Sequence, residues 1–122
     1  MAGRFLAIGF FIALPEEILF RGILQALYKR SLDTTRAILA TNAVFALWHL
    51  VPSALSLQQN AVALPWVPAA ASQAIGYLGS LVAVGIGGAA LSLLREKTGH
   101  LAGSIAVHWV AVAAMTVMLY LR

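Results

Sequence analysis

The chain alternates between long apolar stretches and short polar connections, and the apolar stretches cover residues 5–27, 37–57, 69–94 and 101–121. A hydrocarbon layer of about 30 Å needs roughly 20 apolar residues of helix, so each stretch is long enough for one crossing. The pattern predicts an all-α fold, a polytopic transmembrane helical bundle of about four spans forming a single core over residues 1–122. It fails in one place. Inside the first stretch stand Pro15, Glu16, Glu17 and Arg21. Proline removes a backbone donor and clashes with the preceding turn, so a kink or a helix restart is expected near Pro15. Buried charge is costly in a bilayer and is kept for a protein interior or a wet cavity, which makes this interruption the main clue to function.

Composition agrees with the pattern and removes alternatives. Of 122 residues, 61% are hydrophobic and 10% are charged, with a mean hydropathy of +0.90, outside the range of ordinary soluble domains. No cysteine is present, so disulfides, zinc–thiolate sites and a thiol nucleophile are excluded. The net charge of +4 does not point to nucleic acid, because the basic residues sit at the ends of apolar runs. No small-residue cleavage site follows the first apolar stretch, so it is expected to be retained. Lys29, Arg30, Arg36, Arg95 and Lys97 lie on the connections after spans one and three, against Arg4 and Arg122 on the other side. The richer side is expected to be cytoplasmic.

The connections read simply. Residues 58–68 form an uncharged loop with Trp66 at the interface, and Arg95 to His100 makes a tight turn with His100 in solvent. Glycines and serines in the third span let helices approach closely. Trp48, Trp109, Tyr77 and Tyr120 are expected at packing or interface positions, and Asn42 and Gln73 as links between helices.

Depth links the ionisable residues. At about 1.5 Å per residue, Glu16 lies roughly 19 Å from Lys29, His49 roughly 19 Å from Arg36 and His108 roughly 16 Å from Lys97. Three spans thus present Glu16, His49 and His108 at nearly one level, which predicts a polar cluster open to one side. Glu17 and Arg21 are four residues apart and share a helix face, so an ion pair is expected between them. Glu16 lies about 100° away around the helix, free to face the histidines, and is the candidate base. Phe45, four residues before His49, is placed to pack on that ring.

Glu16-Glu17 followed by Arg21, Phe45 followed by His49, and a late His108 resemble the CAAX-type prenyl endopeptidase and bacteriocin-processing (CPBP, or Abi) family of intramembrane proteases. The resemblance runs from Glu16 to the last span and includes Gly22 and Leu47-Trp48-His49. It implies hydrolysis of a peptide bond in a peptide or membrane-anchored substrate. Glu16 would activate water with His49, and His108 would bind water or stabilise the oxyanion, with Glu17, Arg21 and Phe45 in support. It also implies a multi-pass protein of a prokaryotic cell membrane, its site opening to the cytoplasm, whose substrate differs from the mainly eukaryotic prenylated CAAX proteins. Partners are then the substrate and the bilayer, without nucleic acid. The resemblance favours a metal-free site, although Glu16, His49 and His108 can also ligate a divalent metal such as zinc.

The family usually places Asn or Asp four residues after this histidine, where Val112 stands here. Losing such an oxyanion donor costs about 3 kcal/mol of transition-state stabilisation. Asn42, about 10 Å before His49 along the helix, is a weak substitute. A catalytically silent relative that binds peptides or confers bacteriocin immunity is therefore the alternative, and a proton carrier titrating at Glu16 a more distant one. Members of the family often carry further spans ahead of this motif, so the chain is expected to be a minimal core or part of a longer protein.

Overall fold

In the computed structural model, which describes residues 2–59 and 63–120, all regular structure among the described residues is helical. Arg122 and the side chains of Arg4 and Tyr120 lie outside what is described. The first helix occupies residues 2–28 and is compound. Two π-helical segments, Gly9–Ala13 and Ile18–Leu24, alternate with α-helical turns. A second helix runs over Thr34–Trp48, a third over Leu50–Gln59, a fourth over Ala69–Thr98 and a fifth over Ala102–Tyr120.

Pro15 does not break the first helix. Ala13, Leu14, Glu17 and Ile18 all keep right-handed helical dihedrals, and Pro15 occupies the opening of the short Leu14–Glu17 segment. The backbone adapts by changing its bonding register. Leu14 donates to Gly9 and Gln25 to Phe20, both five residues back, while Ile18 bonds to both Leu14 and Pro15 carbonyls. Such π turns often mark functional segments of helices.

Pro52 has the opposite outcome. Lacking an N–H, it cannot bond the Trp48 carbonyl, and the helix stops at Trp48 and resumes at Leu50. His49 is the single residue between, its N–H shared by the Phe45 and Ala46 carbonyls at 3.2 and 3.1 Å.

Helix ends are set locally. Asp33 caps the second helix through its Oδ1, which accepts the Arg36 N–H at 3.0 Å. The fourth helix runs past the expected end at residue 94 to Thr98. Arg95 and Glu96 pair with each other at 3.0 Å, so their charges do not oppose a further turn. Gly99 then stops the helix in the left-handed region at φ 75° and donates to the Arg95 carbonyl.

The chain divides into two compact units, Met1–Thr41 with Ala90–Arg122, and Asn42–Ala89. In the first unit, Gly22 faces Leu101 and Gly103 faces Leu94, which brings the fifth helix against the first and against the end of the fourth. Gly9 carries the Trp109 ring, and a Cβ there would lie 2.3 Å from it. The ring stacks on Phe5 at 5.1 Å, and its Nε1–H donates to the Phe5 carbonyl at 2.7 Å.

Burial is inverted relative to a water-soluble protein. Among the largest fully buried side chains, Arg21, Gln25, Glu17, Thr41, Ser72, Ser92 and Ser104 are polar and Phe20 alone is apolar. Meanwhile Phe11 is 81% exposed and Met118 68% exposed. Polar groups inside and large apolar groups outside is the distribution a lipid solvent selects. Among the described residues, two helical stretches, residues 34–58 and 69–98, are long and apolar enough to cross a membrane. The fifth is apolar but shorter, over residues 102–118.

Candidate active site

The first helix places Glu17 and Arg21 one turn apart, and the pair forms as expected. Arg21 Nη1 lies 3.0 Å from Glu17 Oε1, and both side chains are fully buried. The same oxygen accepts a second bond. His108 Nδ1 from the fifth helix lies 2.9 Å away. A carboxylate oxygen accepts, so Nδ1 carries the proton and Glu17 sets the tautomer of the ring.

That leaves His108 Nε2 facing Glu16, whose Oε2 lies 3.7 Å away. The separation is too long for a direct hydrogen bond. His108 thus stands between two adjacent carboxylates, both in a region with little solvent access: Glu16 is 16% exposed and Glu17 is fully buried. The π-helical segment beginning at Ile18 directly after the pair supplies part of this geometry. An α-helix drifts about 40° for each four-residue step, and the wider π turn reduces that drift, so Glu17, Arg21 and Gln25 stay on one buried face.

The column continues beyond Arg21. Gln25 Nε2 donates to Glu96 Oε1 at 2.9 Å, and Lys29 Nζ donates to Glu96 Oε2. Arg95 bonds Glu96 as well. The basic ends of the first and fourth helices therefore meet on one carboxylate.

Val112, one turn beyond His108, is half-buried, and its carbonyl accepts the Thr116 hydroxyl at 2.8 Å. Its side chain offers no hydrogen-bond donor.

His49 and Phe45 belong to the other unit. The two rings pack with centroids 4.3 Å apart, as their spacing predicts. His49 Nδ1 lies 2.9 Å from the Phe45 carbonyl, so Nδ1–H donates and Nε2 is the acceptor nitrogen of the neutral ring. In the same unit the Tyr77 hydroxyl donates to the Leu50 carbonyl at 3.3 Å, just after the break.

Sequence reasoning brought out Glu16, Glu17, Arg21 and His108 but missed two features. One is the Glu17–His108 bond, because a helical wheel assigns Glu17 to Arg21 and does not show that one oxygen serves both. The other is the role of Gln25 and Glu96, although the four-residue spacing of Glu17, Arg21, Gln25 and Lys29 carries the signal. Among the described residues, no group of three or more His, Asp or Glu side chains is arranged to hold a metal ion.

The described structure is helical, carries large apolar side chains at its surface and buries a carboxylate–histidine–arginine cluster. The chain belongs to the type II CAAX prenyl endopeptidase Rce1-like family, whose model matches residues 1–114. The family is membrane-embedded and of the protease kind. No curated protein and no solved structure matches the chain.

Proposed function

We propose that the protein is an intramembrane endopeptidase that hydrolyses a peptide bond with water activated by Glu16. The observation that carries this reading is the placement of His108 between the two carboxylates, Nδ1 on Glu17 and Nε2 toward Glu16. With Nδ1 protonated, the neutral ring presents Nε2 as an acceptor beside a second acceptor, Glu16 Oε2. Two acceptors 3.7 Å apart cannot bond each other, and the two protons of one water molecule suit both. Glu16 then takes a proton as the water oxygen attacks the carbonyl carbon, and returns it to the amine as the C–N bond breaks. Glu17, held by Arg21, keeps the ring in the required tautomer. His49, its own tautomer set by Phe45, is assigned to water activation beside Glu16 on the strength of the family resemblance.

The reading uses a four-span arrangement, with the Lys29 and Arg95 ends on the cytoplasmic side and a peptide or membrane-anchored substrate. It needs no cofactor; zinc held by Glu16, His49 and His108 is the alternative that a chelator separates. Val112 supports a second reading, a silent relative that binds a peptide, because it removes the amide or carboxylate the family usually places there. The deciding experiment reconstitutes the protein in liposomes with a peptide library. Cleavage by the native chain that disappears in Glu16→Ala and survives chelation is expected. Cleavage that persists in Glu16→Ala overturns the mechanism, and tight peptide binding without cleavage favours the silent relative.

A further inference from the structure

The first unit buries more polar side chains than the site needs. Gln25, Thr41 and Ser92 are each fully buried, and Gln25 Oε1, Thr41 Oγ1 and Ser92 Oγ have no hydrogen-bond partner among the described residues. The two hydroxyls are informative because a helical serine or threonine ordinarily satisfies itself on its own helix. Thr98, Ser104 and Thr116 do so, bonding the carbonyls of Leu94, Leu101 and Val112. Thr41 and Ser92 do not. Buried polar groups in folded proteins are met by protein partners or by ordered water, and water needs a polar wall with several partners.

Their positions join up. Ser92 is one turn before Glu96 on the fourth helix, and Glu96 bonds Gln25 of the first. Gln25 is one turn from Arg21, which bonds Glu17, and Glu17 bonds His108. Residues one turn apart on a helix lie about 5–6 Å apart, within reach of a single bridging water. At the far end Lys29 is 32% exposed, so the series begins where solvent has access.

We infer that Gln25 and Ser92 line a hydrated passage through the first unit, carrying water from the Lys29–Glu96 end to His108. Its purpose rests on the hydrolytic reading, since each peptide bond cut consumes one water at a site shielded by lipid. Its existence does not. Gln25 and Ser92 are positioning residues for water, placed away from the reacting atoms.

The test is polarisation transfer from mobile water in solid-state NMR of the full chain in liposomes. It reads hydration without any substrate, so a failure of the passage is distinguishable from a failure of the protease assignment. The Gln25 side-chain amide and the His108 ring are expected to receive polarisation several-fold faster than the backbone amide of Ala13, a fully buried residue. In the double variant Gln25→Leu/Ser92→Val, transfer to His108 is expected to fall several-fold while that to Arg95 stays unchanged. Ser92→Ala, which removes the hydroxyl without adding volume, should leave transfer to His108 near the native rate. A native Gln25 amide no faster than Ala13 overturns the passage, whatever the variants do. Native-rate transfer to His108 in the folded double variant overturns this route.

Discussion

Pro15 and Pro52 remove the same backbone donor from two apolar helical runs, yet the first run continues and the second stops. Around Pro15 the chain widens into π turns on either side, and the helix passes through with its dihedrals intact. Before Pro52 the helix ends at Trp48 and leaves His49 alone between two helices. The difference shows in how Glu17 and His49 are held. Glu17 gains its geometry from a buried charge partner, Arg21 at 3.0 Å, and from the His108 ring nitrogen at 2.9 Å. His49 gains its geometry from a backbone carbonyl one turn back, which involves no buried charge.

The largest test of this contrast is Arg21→Leu. Removing one partner of a fully buried pair leaves Glu17 uncompensated, which costs about 3–5 kcal/mol. Denaturation of the protein in mixed micelles should show the loss, and Glu17→Leu/Arg21→Leu should recover much of it. A double variant no more stable than Arg21→Leu would mean that packing, and not charge pairing, holds the first unit.

Gly9→Ala probes the same unit without touching charge. The added methyl would meet the Trp109 ring, which the Phe5 stack and its bond to the Phe5 carbonyl keep from moving aside. Overpacking of this kind costs about 1–3 kcal/mol. The same denaturation assay reads it, and Gly9→Ala/Trp109→Ala should suffer little further loss relative to Trp109→Ala alone.

Much of the architecture is readable without the structure because bilayer thickness and helical rise are fixed lengths. The four apolar stretches foreshadow the helices to within a few residues at most ends, and Glu17–Arg21 and Phe45–His49 follow from four-residue spacing alone. The parts that escape are those where the backbone departs from a regular α-helix. Pro15 stands in the first turn of a new α segment, as a restart predicts, but the π turns on either side leave no residue-type signature of their own. Splitting the acidic pair into a structural Glu17 and a chemical Glu16 also assumes one partner per carboxylate, and Glu17 Oε1 accepts two. The meeting of Glu96 with Lys29 and Gln25, from a helix about 70 residues away in sequence, is a contact that local pattern does not encode.

Replacing the prolines tests the contrast at its source. Pro52→Ala supplies a donor for the Trp48 carbonyl, and an uninterrupted helix over residues 34–59 is expected, with a stability change of about 1 kcal/mol or less. Hydrogen exchange should report protection of the new amide at position 52. If His49 acts as proposed, peptide cleavage should fall further in Pro52→Ala than in Pro15→Ala, because only the first moves His49 out of a break. Equal activity in the two would place His49 outside the chemistry.

The smallest effect is expected at the solvent end of the polar column. Lys29 and Glu96 form an ion pair that is 32% and 18% exposed, in contrast to the sealed Glu17–Arg21 pair. Water competes for both partners there, and Glu96 keeps Gln25 and Arg95 when the lysine is removed. Lys29→Met should therefore cost about 0.2–1 kcal/mol, the range of exposed pairs. Salt separates the two ends of the column further. Salt screens charges that solvent reaches, with a Debye length of about 8 Å at physiological ionic strength that shortens as salt rises, and acts much less on buried ones. The penalty of Lys29→Met should shrink toward zero as salt rises, whereas that of Arg21→Leu should hold. A Lys29→Met penalty that is large and insensitive to salt would mean that the column is as dry at Glu96 as at Glu17, and that solvent does not enter from this end.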